Sequence, residues 1–180
     1  MKEIRTFSQE ETFNIGRILG QLLKEGDIIC ITGELGTGKT VLSKGIAKGA
    51  GIDEHITSPT FTIVNEYKSK EIFFYHFDVY RISDPEEMYE IGFEEYLYSD
   101  GMLVVEWADL IEDILPHENI WVTIEKDFDL GLDARVISIR FNGQKYLEYE
   151  KKLTTEEGRY NENNGPGFIG NGGHSSCNGG

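Results

Sequence analysis

The residues with the clearest chemical purpose are eight that join a short apolar run to a predicted helix. They read Gly33-Glu34-Leu35-Gly36-Thr37-Gly38-Lys39-Thr40 and fit the spacing G-x-x-x-x-G-K-[ST]. Glycines in such a loop allow positive φ angles, so that successive N–H groups turn inward and form a nest for an anion. The positive end of the following helix dipole faces the same point. The pattern therefore predicts a loop that binds the phosphates of a nucleotide.

Two side chains of this loop add charge and a metal ligand. Lys39 supplies a mobile cation for the β- and γ-phosphates, and the hydroxyl of Thr40 is a ligand for Mg²⁺. Local geometry of this kind can bind a polyphosphate although the chain carries a formal net charge of -15. We expect the ligand to arrive with Mg²⁺, which reduces the repulsion between ligand and protein.

A nucleotide site of this type also needs a carboxylate, either for Mg²⁺ or for the attacking water. Glu106 ends the apolar run GMLVVE, and Asp78 ends the run IFFYHFD. Ligands of open α/β sheets bind at the carboxyl ends of the strands, so both acids are candidates for either role. His76 alternates with aromatic residues in the second run, and this position favours an interior histidine over a catalytic one.

Two further segments lie where a nucleotide site would use them. In HITSPTFTIV, Pro59 keeps Ser58 extended. The hydroxyls of Ser58 and Thr60 either reach the γ-phosphate or Mg²⁺, or form a polar turn that caps the next strand. Trp107 follows Glu106 directly and either packs in the core or forms a wall of the nucleotide pocket.

The elements that must position these residues alternate between strands and helices. A capping box, SQEE, opens a predicted helix over Ser8 to Glu25. The spacing of apolar residues and turns predicts further helices over Thr40 to Gly49, Asp84 to Tyr98 (in two pieces around Gly92) and Ala108 to Leu115, and strands over Ile28 to Thr32, Thr62 to Tyr67, Glu71 to Asp78, Met102 to Glu106, Ile120 to Glu125 and Arg135 to Phe141. Tyr146 to Leu153 either extends the last strand or forms a short helix.

This order predicts an α/β fold of the P-loop NTPase type. We expect a three-layer sandwich in which a mostly parallel central sheet, with some antiparallel strands, carries helices on both faces. Residues 1–154 would form this P-loop domain. Residues 155–180 are rich in glycine and asparagine with little to bury, and we expect a disordered tail.

Composition excludes several classes of protein. No apolar run approaches the roughly 20 residues that span a bilayer, and the polar N-terminal segment is not typical of a signal peptide. The two cysteines, Cys30 and Cys177, form no disulfide framework or zinc spacing, which favours a reducing, cytoplasmic location. The strongly acidic balance argues against broad non-specific binding to nucleic acid.

Several motifs together resemble a known family. In order, GELGTGKT, TSPTFTIVNEY, HFDVYRI, EEMYEIGFEEYL and LVVEWAD resemble the TsaE (YjeE) family, small P-loop ATPases of bacterial tRNA threonylcarbamoyladenosine synthesis. The resemblance covers about Phe7 to Phe141. It implies binding of ATP and Mg²⁺ and slow ATP hydrolysis in support of TsaD and TsaB. These partners transfer a threonylcarbamoyl group to an adenosine beside the anticodon. We expect contact of this chain with tRNA to be indirect, because its net charge of -15 disfavours direct contact.

The resemblance also implies roles for individual residues. Lys39 would bind phosphate, Thr40 and Glu106 would hold Mg²⁺, and Asp78 would order or activate the water, which makes Lys39, Asp78 and Glu106 the catalytic set. Thr60 would lie in a switch-like loop. The nucleotide-binding set would be Gly33, Glu34, Leu35, Gly36, Thr37, Gly38, Lys39, Thr40, Thr60 and Trp107.

Two other P-loop functions fit the sequence less well. A small-molecule or nucleotide kinase usually carries an arginine-rich lid, but the few arginines of this chain do not cluster. A small GTPase would need an N-K-x-D element to read guanine, and the sequence has none.

Overall fold

Seven strands form one mixed sheet within residues 1–69 and 72–153, which are the residues that the computed structural model describes. The predicted tail, 155–180, lies outside them. The order across the sheet is β1-β7-β6-β2-β5-β4-β3. The strands are β1 (Lys2–Thr6), β2 (Ile28–Thr32), β3 (Val64–Lys68), β4 (Phe73–Asp78), β5 (Met102–Glu106), β6 (Asn119–Lys126) and β7 (Arg135–Asn142).

Parallel pairing occupies the centre of the sheet. The neighbours β4, β5, β2 and β6 are all parallel, whereas β3, β7 and β1 each pair antiparallel at the flanks. Only β3 and β7 therefore run against the other five strands. The sheet is mixed, with three parallel pairings at its centre and three antiparallel pairings at its flanks, and the predicted α/β fold is confirmed. Because central parallel strands are covered on both faces, β2 reads as a continuous apolar run.

Helices cover both faces of the sheet. Ile29 and Ile31 of β2 face a core shared with α1 (Gln9–Leu22) and α2 (Lys39–Gly49). Ile28 and Cys30 face a second core on the other side. That core includes residues of α3 (Glu87–Glu90), α4 (Phe93–Leu97) and a 3-10 helix, Ala108–Ile114. None of the helices in the described part of the chain is long and apolar enough to cross a lipid bilayer.

The start of α1 follows the predicted capping box. Ser8 Oγ accepts a hydrogen bond from the N–H of Glu11 at 3.1 Å. The carboxylate of Glu11 reaches back to the N–H of Phe7 at 2.7 Å. The helix ends at Leu22 rather than at Glu25, because Leu23 already has extended backbone angles.

Four glycines bring α1 and α2 into close contact. A Cβ at Gly16 or Gly20 would lie 2.3 or 2.1 Å from a backbone oxygen of α2. A Cβ at Gly45 or Gly49 would lie 2.1 Å from a backbone oxygen of α1. The two backbones therefore touch directly, and α1 fixes the position of the helix that carries Lys39.

The remaining predicted elements are present, with some bounds moved. β3 begins at Val64 rather than Thr62, and Glu71, the predicted first residue of β4, lies outside the described residues. The predicted helix over Asp84 to Tyr98 is divided into α3 and α4 at Gly92, whose φ is 73°. Of the two alternatives for Tyr146 to Leu153, the helix is confirmed, over residues 147–153. The strand β1 was not predicted; only Ile4 and Thr6 point inward from it, so its alternation is too short to identify.

Candidate nucleotide site

The glycine-rich loop between β2 and α2 depends on three glycines with positive φ. These angles are 141° at Gly33, 75° at Gly36 and 110° at Gly38. At Gly33 a side chain is also excluded sterically, since a Cβ would lie 2.2 Å from the carbonyl oxygen of Ile124. Gly38 is the N-cap of α2, whose first N–H groups have no partner within the helix. The loop thus lies at the positive end of the α2 dipole, an arrangement that suits an anion.

Lys39 folds back over this loop. Its Nζ donates hydrogen bonds to the carbonyl oxygens of Gly33 at 2.6 Å and Glu34 at 2.9 Å. The same atom lies 3.7 Å from the centre of the Trp107 ring. Burial lowers the pKa of Lys39 from its ordinary value, although the nearby carboxylates, Glu106 first, act in the opposite direction.

Trp107 has an unusual backbone conformation for its residue type. Its φ is 62°, a left-handed value that is uncommon outside glycine. This turn directly follows Glu106 and directs the indole towards Lys39 and Tyr80, whose ring centre is 4.8 Å away. The side chain is half-buried. Trp107 therefore belongs to the site rather than to the centre of the core.

Glu106, at the end of β5, is the most enclosed acid of the site and is 1% exposed. Its Oε2 accepts a hydrogen bond from Thr40 Oγ1 at 2.9 Å. Its Oε1 accepts from Ser43 Oγ at 2.8 Å and lies 2.7 Å from His76 Nε2. A hydroxyl and a carboxylate, the two residues predicted as metal ligands, are thus side by side. Hard oxygen ligands of this kind are the ones that Mg²⁺ prefers.

Asp78 ends the neighbouring strand β4 and is the direct partner of Glu106 in the register. Its Oδ2 accepts hydrogen bonds from Thr60 Oγ1 at 2.5 Å and Ser58 Oγ at 3.3 Å. Its Oδ1 accepts from the N–H of Tyr80 at 3.1 Å. The segment with Ser58 and Thr60 therefore bonds to a candidate catalytic acid, across eighteen to twenty residues of sequence.

A cavity of about 430 Å³ opens beside the loop. The predicted site residues Gly33, Glu34, Thr37 and Trp107 line one part of it. Leu35 is instead 79% exposed. The other predicted site residues do not line the cavity; these are Leu35, Gly36, Gly38, Lys39, Thr40, Thr60, Asp78 and Glu106. The rest of the lining was not predicted, and comprises Thr32, Asp109, Thr123, Ile124, Glu125, Lys126 and Phe128.

The family model for "Threonylcarbamoyl adenosine biosynthesis protein TsaE" matches residues 6–135. The chain belongs to the TsaE family. The resemblance stated from the sequence motifs is thereby confirmed.

Individual members show the extent of the similarity. The tRNA threonylcarbamoyladenosine biosynthesis protein TsaE of Bacillus subtilis is 40% identical, over 81% of this chain and 90% of its own length. The TsaE protein of Treponema pallidum is 38% identical, over 65% of this chain and 86% of its own length. The crystal structure of Bacillus subtilis YdiB superposes with a TM-score of 0.74 at 34% identity, and covers 87% of this chain and 98% of that one. The predicted fold class is confirmed.

The TsaE motifs identified the loop and the strand ends, but they did not identify the far wall of the cavity. Lys126 and Phe128 lie at the end of β6 and in the connection to β7. The register places Thr32, the last residue of β2, beside Thr123 of β6. Because β6 continues to Lys126, its last residues extend beyond the end of β2 and line the cavity. A signal existed, because residues that follow a central parallel strand lie at the ligand edge of the sheet. The sequence alone did not show that β6 is the neighbour of β2.

Proposed function

We propose that this TsaE-family protein binds ATP with Mg²⁺ at the glycine-rich loop and hydrolyses it slowly. The observation that carries the proposal is the contact between Thr40 Oγ1 and Glu106 Oε2, 2.9 Å apart at the mouth of the loop. A hydroxyl at the start of the helix and a carboxylate at the end of a central strand are the two protein ligands that P-loop enzymes use for Mg²⁺.

The other residues of the candidate site have separate roles. The backbone N–H groups of the loop and Lys39 hold the phosphates, while Thr40 and Glu106 hold the cation. Asp78 orders or activates the attacking water, and its bonds to Thr60 and Ser58 bring the switch-like segment to the same place. When bound, Mg²⁺ neutralises charge that develops on the phosphate oxygens. The cavity beside Trp107 and Phe128 accepts the nucleoside.

Turnover by the isolated protein is expected to be slow. An arginine that stabilises the transition state is worth about a thousandfold or more where it is present. Arg135 is the arginine bonded to the loop, but its Nε donates to the carbonyl oxygen of Thr37 and its Nη1 to those of Leu132 and Ala134. Arg135 therefore supports the backbone of the loop, and we expect a partner either to supply an arginine or to order the switch-like segment.

The role that follows is support of tRNA threonylcarbamoyladenosine synthesis, together with TsaD and TsaB, in the cytoplasm. In this role the protein does not transfer the threonylcarbamoyl group, and its contact with tRNA is indirect. ATP binding and hydrolysis would support the TsaD–TsaB pair between turnovers.

The test is ATP hydrolysis by the purified chain, alone and with TsaB and TsaD, measured beside GTP. We expect the pair to stimulate hydrolysis, ATP to be preferred, and Lys39→Ala to lose tight nucleotide binding. Lys48→Ala is the matched control, since this lysine of the same helix forms an exposed ion pair with Asp53 and should behave as wild type.

Either of two results would contradict the proposal. Normal ATP affinity in Lys39→Ala would exclude the glycine-rich loop as the phosphate site. Failure of TsaB and TsaD to stimulate, with ADP formed only when a small phosphate acceptor is added, would indicate a kinase.

A further inference from the structure

The carboxylate of Glu106 is held from two directions, and only one of them belongs to the predicted metal site. Oε2 faces Thr40, as described above. Oε1 contacts His76 Nε2 at 2.7 Å and Ser43 Oγ at 2.8 Å. Both of these side chains are fully buried. One oxygen is thus fixed by the interior of the protein while the other is presented to the loop.

The position of His76 follows from the sheet register. His76 is two residues before Asp78 on β4, and the same spacing on β5 separates Val104 from Glu106. Side chains two residues apart on a strand lie on the same face. His76 therefore lies beneath Glu106 on the face that α2 covers, and no loop movement is needed to bring the two together.

The second ring nitrogen of His76 bears on why a histidine occupies this buried position. Nδ1 is buried and has no hydrogen-bond partner in the described part of the chain. A buried polar atom without a partner costs stability. Phe74 lies two residues before His76 on the same face of β4 and is buried there without a polar atom that needs a partner. What the imidazole adds over such an apolar ring is the donor directed at Glu106.

Ser43 supplies the second donor from α2. It follows Thr40 by three residues, so both hydroxyls lie on one side of the helix. Its single hydroxyl hydrogen has two acceptors in reach, Lys39 O at 3.1 Å and Glu106 Oε1 at 2.8 Å. The carboxylate is the nearer and the charged acceptor, and hydrogen bonds to charged groups are the stronger ones.

We propose that His76 and Ser43 are positioning residues for the metal ligand of this ATPase. They hold Oε1 of Glu106 so that Oε2 stays beside Thr40 Oγ1 and is available to Mg²⁺. Without them the carboxylate is free to rotate away from Thr40. This inference rests on the proposed function, since it assigns a task in binding Mg²⁺.

The experiment measures the Mg²⁺ requirement of nucleotide binding in three variants of His76. His76→Phe keeps an aromatic ring but removes the donor. His76→Gln places an amide donor near the position of Nε2, whereas His76→Asn places it near Nδ1 and cannot reach Glu106. His117→Phe is the control, because His117 is exposed. A fluorescent ATP analogue is titrated first in EDTA and then with increasing Mg²⁺, and thermal unfolding is followed in parallel.

We expect His76→Phe to raise the half-saturating Mg²⁺ concentration by about tenfold, the usual effect of losing one hydrogen bond to a charged group. Affinity for the nucleotide in EDTA should stay within about twofold of wild type, because the loop and Lys39 are unchanged. His76→Gln should restore most of the Mg²⁺ response, and His76→Asn should not. A role in packing alone would change the unfolding temperature without this separation between the two titrations.

The outcomes separate this inference from the proposed function. Wild-type protein that binds the analogue equally well with and without Mg²⁺ would overturn the Mg²⁺-dependent site and the inference with it. A wild-type Mg²⁺ response that His76→Phe leaves unchanged would overturn the inference alone. If His76→Phe does not fold, Ser43→Ala provides the same test, and an unchanged Mg²⁺ requirement in that folded variant would also overturn it.

Discussion

Glu106 and Asp78 end adjacent strands as direct partners, yet their surroundings give them different chemistry. Glu106 is bonded to the helix that carries the loop, through Thr40 and Ser43. Asp78 is bonded instead to the segment with Ser58 and Thr60. The first arrangement suits a fixed metal ligand. The second suits a group that orders water together with the switch-like segment.

This difference predicts that replacing each carboxylate by its amide changes a different quantity. Glu106→Gln should raise the Mg²⁺ concentration needed for nucleotide binding, since an amide oxygen is a weaker ligand than a carboxylate. Asp78→Asn should leave that requirement near wild type and lower kcat by about a hundredfold, the lower end of the usual effect of losing an acid–base group. Mg²⁺ titrations of nucleotide affinity and single-turnover hydrolysis measure the two quantities separately.

The control is Glu10→Gln, an exposed acid in the first turn of α1. If Asp78→Asn, and not Glu106→Gln, changed the Mg²⁺ requirement, the two assignments would have to be exchanged.

At the scale of single residues, sequence spacing predicted the loop and the two acids of the candidate site, but neither the far wall of the cavity nor the support of Glu106. Lys39 and Thr40 belong to one continuous motif, and the strand-end rule selected both acids. His76 was predicted as an interior residue, which the structure confirms. Its bond to Glu106 joins residues thirty apart in sequence and exists only because β4 and β5 pair in one particular register. Spacing along the chain contains no information on that register.

At the scale of elements, the contact between α1 and α2 determines where the loop can lie. Gly16 and Gly20 on α1, and Gly45 and Gly49 on α2, repeat at four-residue intervals and face one another. Glycine has a low helix propensity, so the presence of four glycines in two helices needs a structural reason. The reason is direct backbone contact, which leaves no room for a methyl group.

Gly45→Ala should therefore destabilise the protein although alanine is the better helix former. The added Cβ would lie 2.1 Å from the carbonyl oxygen of Phe13, a backbone atom that cannot move without shifting α1. We expect a loss of about 3 kcal/mol in the free energy of unfolding, at the upper end for overpacking. Urea unfolding measures it. Gln21→Ala, on the exposed side of α1, should be within about 0.5 kcal/mol of wild type, and an equal loss in both variants would contradict the interpretation.

Element prediction succeeded where a pattern was long or well terminated. The two parallel strands β2 and β5 and the helix α2 were predicted within one residue of their observed bounds. The spacing G-x-x-x-G, present in both helices, was a usable signal for their contact that was not used. The position of β1 could not be predicted from the sequence, because its place at the edge of the sheet comes from pairing with β7, more than a hundred residues later.

At the scale of the whole molecule, the C-terminal end of the described chain is bonded to the start of the central strand. Tyr149 donates a hydrogen bond to Asp27 Oδ2 at 3.0 Å, and the N–H of Ile28 donates to the hydroxyl of Tyr146 at 3.2 Å. Lys145 Nζ lies 2.8 Å from Asp27 Oδ1. These contacts are at the start of β2, and the glycine-rich loop is at its other end. A substitution at this junction should therefore change the stability of the protein without changing its affinity for a nucleotide.

The tyrosines make this junction sensitive to alkaline pH. Burial raises the pKa of Tyr146 and Tyr149 well above the ordinary value near 10, and the charge of Asp27 raises both further. Both phenols stay protonated in the folded protein at a pH where the unfolded chain loses their protons. The unfolded state then binds fewer protons, so the free energy of unfolding must fall as the pH rises above about 10. Each such phenol contributes a slope of about 1.4 kcal/mol per pH unit.

Tyr149→Phe should show this contribution directly. At pH 8 the variant should lose about 1.5 to 3 kcal/mol, because Asp27 loses a donor. Between pH 10 and pH 11.5 its stability should fall less steeply than that of wild type, since one titrating phenol has been removed. Urea unfolding at a series of pH values measures both effects, and Tyr98→Phe, at a side chain that is 83% exposed, is the control.

Equal alkaline slopes for Tyr149→Phe and wild type would mean that this phenol titrates alike in the folded and unfolded chains. The nucleotide affinity of the folded variant at pH 8 should equal that of wild type, because the substitution is at the opposite end of β2.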